Sequence, residues 1–129
     1  MNKLALCISG GLGNTILQHL LSREIKPVYV LTDKNSSEII TSCTTHEIPY
    51  FAGNPRKENR NDILARFKCE VLLSVNYLFI LPQELLQSAT KYNLNIHGSL
   101  LPRYRGRTPH VWAIINGEQE TGVTVHEMV

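Results

Sequence analysis

K-L-A-L-C-I-S-G-G-L-G-N-T-I-L-Q-H-L-L-S-R-E-I-K-P-V-Y-V-L-T, residues 3–32, decides the fold. Lys3 to Ser9 is a largely apolar run of the length of a buried strand. Ser9-Gly10-Gly11-Leu12-Gly13-Asn14 is a glycine-rich turn, and Thr15 to Arg23 reads as a helix with Ile16, Leu17, Leu20 and Leu21 on one face. Lys26 and Pro27 close the connection, and Pro27 to Thr32 is a second strand. Two buried strands joined by one helix form a β-α-β unit, which implies parallel pairing and a right-handed crossover.

Working outward, Ser37 to Thr45 is expected to be helical and Ile48 to Phe51 a short strand. Residues 52–61 are polar, contain Gly53 and Pro55, and read as a surface loop. Asp62 to Lys68 is expected as a short helix with Ile63, Leu64 and Phe67 inward, and Val71 to Val75 as a central strand. A helix over Pro82 to Tyr92 and a fifth strand over Leu94 to His97 follow. The fold expected is α/β: a Rossmann-like, doubly wound, mostly parallel sheet, incomplete at its C-terminus, in one domain over residues 1–129. Gly122 to Met128 would leave a sheet edge exposed to association.

An apolar content of 43% in 129 residues suffices for one core. Thirteen basic residues against 11 acidic leave the charge at +2, too balanced to argue for a nucleic-acid partner. No apolar run reaches the ~18 residues a membrane span needs. Cys7, Cys43 and Cys69 are widely spaced, show no C-x-x-C, and point to reduced thiols in a cytoplasmic protein. His46 has no partner at metal-ligand spacing, so no metal is expected.

The glycine turn admits two readings. Its backbone N–H groups and the following helix start suit a phosphate, and Asp33 beyond the second strand suits a ribose hydroxyl. Ile16, standing where a third small residue is wanted, argues against a dinucleotide site. A phosphate contact for a substrate and a purely structural turn both stay open.

Chemistry concentrates after residue 94. Asn95 and His97 are two apart on a strand and so share a face, and Gly98 lets the backbone turn. An imidazole moves a proton near neutral pH, and a carboxamide donates to an oxygen that becomes negative during acyl transfer. Arg103, Arg105 and Arg107 alternate around Tyr104 and Gly106, and His110 to Asn116 reads as a short helix ending at Gly117.

The string N-I-H-G-S-L-L-P-R-Y-R-G…W-A-I-I-N-G-E…T-G-V-T resembles the formyltransferases that use 10-formyltetrahydrofolate. These include glycinamide ribonucleotide transformylase, methionyl-tRNA formyltransferase and the N-formyltransferases of nucleotide-linked amino sugars. The variant R-G-R-T-P-H-V-W-A-I-I-N-G is most similar to the sugar enzymes. The resemblance implies catalytic roles for Asn95 and His97 and a folate pocket around Ile80 and Leu81. It implies acceptor contacts at Gly10, Asn14, Ser99, Arg105 and Arg107. Ser9, Gly10 and Asn14 also align with a phosphate-holding turn of the glycinamide ribonucleotide enzymes. The expected partner is a small amine, a nucleotide-linked amino sugar; a homo-oligomer stays open.

The family's catalytic set also includes an aspartate after the T-G-V-T strand. Here the aspartates are Asp33 and Asp62, both ahead of His97. Glu118, Glu120 and Glu127 carry no clear replacement role, and His126 reads as a strand-face residue. The 129-residue chain by itself is therefore expected to be inactive. The alternatives are a piece of a methionyl-tRNA formyltransferase and a non-catalytic domain that binds folate or a nucleotide.

Overall fold

The computed structural model describes residues 3–57, 60–96 and 125–127. Strands β1 (Leu4–Ile8), β2 (Tyr29–Thr32), β3 (Tyr50–Ala52), β4 (Cys69–Val75), β5 (Ala89–Ile96) and β6 (Val125–Glu127) form one sheet in the order β3-β2-β1-β4-β5-β6. The first five are parallel, and β6 runs antiparallel to β5. The intervening helices are α1 (Gly10–Ser22), α2 (Ser37–Thr45), α3 (Arg60–Arg66) and α4 (Gln83–Leu86).

Strand alternation divides the core in two. Leu4, Leu6 and Ile8 of β1 pack with Val71, Leu73 and Val75 of β4 against Ile16, Leu17 and Leu20 of α1 and Ile39 and Cys43 of α2. Ala5, Cys7, Leu31 and Leu72 point the other way, toward Ile63, Phe67, Leu85 and Leu86 on the α3 and α4 side. With both faces covered, β1 is buried at all five positions, which is why it reads as an unbroken apolar run. The doubly wound, mostly parallel sheet is thus the observed architecture. Among the described residues no helix is long and apolar enough to cross a membrane.

Several local expectations are corrected. Helix α1 begins at Gly10, not Thr15, so the glycine-rich segment is the helix's first turn. Ser9 is extended ahead of it, and the Gly13 amide donates to the Ser9 carbonyl at 3.2 Å. The absence of a Cβ at Gly13 is what lets α1 lie close to β1. One added at Gly13 would stand 2.9 Å from the Ile8 Cβ, so α1 rests directly on β1.

The helix expected over Pro82 to Tyr92 is only the single turn Gln83–Leu86, and β5 begins at Ala89. Leu85 and Leu86 are buried, but Thr90, Lys91 and Tyr92 are exposed and join the ladder beside β4 instead. Pairing of a strand with its neighbour has overridden local helical spacing. The β4–β5 register shifts between Cys69 and Val71. There the amides of Glu70 and Val71 both donate to the Lys3 carbonyl, at 2.9 and 3.0 Å. This irregularity turns the Cys69 thiol toward the α3 and α4 side although Val71 faces the other.

Smaller shifts move β2, β3, α3 and β4 by about two residues, as element ends commonly do. β3 occupies Tyr50–Ala52 rather than Ile48 to Phe51, because Ile48 turns into the core beside α2. His97, expected as the end of the fifth strand, lies outside the described residues.

Candidate active site

Parallel strands of an open α/β sheet present their ligands at the carboxyl ends. The register there joins Cys7 to Ser74 and Ser74 to Asn95, and places Asn95 opposite position 126 of β6. Each of Cys7, Ser74 and Asn95 is the penultimate residue of its strand. Register partners share a face, so this row lies on the α3 and α4 side, where Asn93 also donates from Nδ2 to the Leu86 carbonyl at 3.3 Å. Ser74 is only 5% exposed, and Asn95 is half-buried. The row therefore runs from a buried thiol to a carboxamide that is partly open.

The loop after β4 overhangs this row. Asn76, at φ 55°, turns the chain out of the sheet. Tyr77 and Leu81 then face inward against the α3 and α4 core, while Leu78 and Ile80 stay 65% and 72% exposed. Tyr77 and Phe79 meet edge to face at 5.7 Å. The Tyr77 hydroxyl is buried and has no hydrogen-bond partner among the described residues, and burial pushes its pKa far above the usual phenol value. Of the residues expected to meet a folate, Ile80 is thus presented to solvent and Leu81 anchors the loop. Leu78 and Ile80 make this loop an apolar, solvent-facing ledge.

A second polar cluster ties the loops together. The Leu78 amide donates to Ser9 Oγ at 3.2 Å. Ser36 Oγ donates to Asp33 Oδ1 at 2.6 Å, the Asn35 amide to Asp33 Oδ2 at 3.0 Å, and the Gly10 amide to Ser36 Oγ at 3.0 Å. Burial by itself raises the Asp33 carboxyl, but hydrogen bonds from Ser36, Ser9 and the Asn35 amide outweigh it and hold the group below the usual carboxylate range. Sequence reading missed Ser9–Asp33–Ser36 as a unit, and missed Ser74; its one signal was a polar residue inside the apolar run of β4.

Asn14 lies in α1, where its Oδ1 accepts from Gln18 Nε2 at 3.1 Å. It lines an open cleft of about 420 Å³ between α1 and α2, with Thr41, Ser42 and His46 on the far wall. That cleft is on the face of the sheet opposite Asn95. His46 donates from Nδ1 to the Ser42 carbonyl at 2.9 Å, a local helix-end contact. His97, Ser99, Arg105 and Arg107 lie outside the described residues. Among the described residues no group of three or more histidines, cysteines or acids is placed to hold a metal ion. Burial pushes the Cys7 thiol well up, Cys43 to about 12 and Cys69 to about 11, so none is poised as a nucleophile.

Residues 3–129 match a family model described as formyl transferase. The fold is similar to that of phosphoribosylglycinamide formyltransferase from Bacillus halodurans, at 24% identity and TM-score 0.60, over 98% of this chain and 72% of that one. Glycinamide ribonucleotide transformylase 1 from Geobacillus kaustophilus matches at 25% identity and TM-score 0.58, over 98% and 73%. A 4-N formyltransferase from Francisella tularensis matches at 20% identity and TM-score 0.56, over 98% of this chain and 50% of that one.

Proposed function

The chain belongs to the formyl transferase family, and from that premise we propose that it formylates the primary amine of a nucleotide-linked amino sugar. The donor of the family is 10-formyltetrahydrofolate, which when bound supplies the formyl carbon. The observation that carries the reading is the place of Asn95. It stands at the carboxyl end of β5, next to Ser74 and one strand away from the loop that exposes Leu78 and Ile80.

In this reading Leu78 and Ile80 receive the donor's ring and Leu81 holds their loop in place. The Asn95 carboxamide donates to the formyl oxygen as negative charge gathers there, and one such donor is worth ~3 kcal/mol of transition-state stabilisation. His97 takes the proton that the attacking amine releases. Ser99 positions the formyl group, and Arg105 and Arg107 bind the acceptor's diphosphate, whose geometry suits guanidinium forks.

A second acceptor, glycinamide ribonucleotide, is favoured by the names of two of the similar structures. The protein isolated from its source is offered 10-formyltetrahydrofolate with each amine in turn, and products are followed by mass spectrometry. Formylation of the nucleotide-linked amino sugar with the highest kcat/KM is expected. A higher kcat/KM for glycinamide ribonucleotide, or formylation of methionyl-tRNA, overturns the choice of acceptor. In the same assay Asn95→Ala is expected to lower kcat by ~100- to 1000-fold with little change in KM. An unchanged kcat removes Asn95 from the chemistry.

A further inference from the structure

The first turn of a long helix is a general anion site, because its amides are unpaired and its dipole is positive there. In α1, a helix of 13 residues preceded by a serine and opened by glycines, that site lies beside a pocket of about 190 Å³. Gly10, Gly11, Asn35, Ser36 and Glu38 are among its lining residues. The place looks ready for a phosphate, but part of its hydrogen-bonding capacity is already used. The Gly10 amide donates to Ser36 Oγ, and the Gly13 amide to the Ser9 carbonyl. Ser36 in turn donates to Asp33, and Ser9 does the same while accepting from Leu78. Both carboxylate oxygens of Asp33, a residue only 7% exposed, are therefore engaged.

We propose that Asp33 is the resident anion of the α1 N-terminus and a specificity-determining residue that keeps the acceptor's phosphate off the Gly10–Gly13 turn. A phosphate seated there would face a carboxylate through a single serine, and among the described residues the titratable side chain lining the pocket, Glu38, is acidic as well. The hydrogen bonds that hold Asp33 ionised keep that repulsion in force at neutral pH. With three donors already on its carboxylate and 7% exposure, Asp33 has little capacity left for a ribose diol, which weighs against the dinucleotide reading of the turn. That the excluded phosphate is the acceptor's rests on the formyl-transfer reading; the exclusion of phosphate itself does not.

The test is a binding titration with inorganic phosphate, at constant ionic strength, following the amide resonances of Gly10, Gly11 and Gly13 in isotope-labelled protein. Wild type is expected to show no saturable shift. Asp33→Asn, which keeps an acceptor for Ser36 while removing the charge, is expected to bind phosphate at these amides at least ~10-fold more tightly. Saturable binding by wild type with the affinity of the variant overturns the proposal, and so does a folded variant whose glycine amides ignore phosphate. Asp33→Ser serves if the first variant does not fold. If neither folds, the wild-type titration decides: silence supports the proposal and saturation refutes it. No formyl transfer enters the readout, so a wrong acceptor assignment leaves the phosphate result unchanged.

Discussion

Replacing Gly13 by alanine tests the packing that sets the site's geometry. The added methyl would lie 2.9 Å from the Ile8 Cβ, 3.3 Å from the Ile8 carbonyl carbon and 3.4 Å from the Ile39 Cδ1. Carbon atoms pack best at ~3.5–4.0 Å, so the first contact must open by more than half an ångström. The Ile39 terminus can rotate away, but the Ile8 Cβ belongs to a wholly buried strand locked between β2 and β4. The whole of α1 has to lift. Overpacking of this kind costs ~1–3 kcal/mol, while alanine recovers ~1 kcal/mol of helix propensity over glycine. The net expectation is a loss of up to ~2 kcal/mol, read as a lower midpoint in urea unfolding. Gly11→Ala is the control. It lies in the same turn with nothing within 4 Å, and is expected to gain several tenths of a kcal/mol or more. If Gly13→Ala proves as stable as Gly11→Ala, α1 does not rest on β1 through Gly13.

Two further outcomes are expected. Ile80→Ser removes an exposed apolar contact without emptying the core, so donor KM should rise ~10-fold with kcat held and the unfolding midpoint unchanged; a loss confined to kcat counts against the ledge. The three thiols should react with an aromatic disulfide reagent far more slowly in the native protein than in urea. Because burial raises Cys43 to about 12 from an unfolded value of ~8.5, its contribution to stability is full below the lower value and is lost as pH rises toward the upper one. Cys43→Ala should flatten that alkaline decline, and an unaltered pH profile in the variant would exclude Cys43 as its source.

Residues 3–32 determined the topology by themselves, since an unbroken apolar run, a glycine-rich turn and a helix with one apolar stripe permit little besides a parallel β-α-β unit. The inward faces of α1 and α3 follow from the same periodicity, which Ile16, Leu17, Leu20, Ile63 and Phe67 bear out. Asn95 was legible as a candidate because it stands two residues from His97 on an expected strand, within the string that resembles the formyltransferases. What the chain could not declare locally is which distant residues meet. Residues 89–92 became strand because β4 offered them a partner. Helix α1 starts at Gly10 rather than Thr15 because Gly13, lacking a Cβ, can lie directly on Ile8. Asp33 reads from sequence as free to bind a ribose, yet the fold brings Ser9 and Ser36 to its carboxylate and couples it to Gly10 and Leu78. Periodicity reports which side chains are buried; only the packed chain decides which buried polar groups satisfy one another, and that leaves Asp33 engaged within the protein and Asn95 partly open at the carboxyl edge.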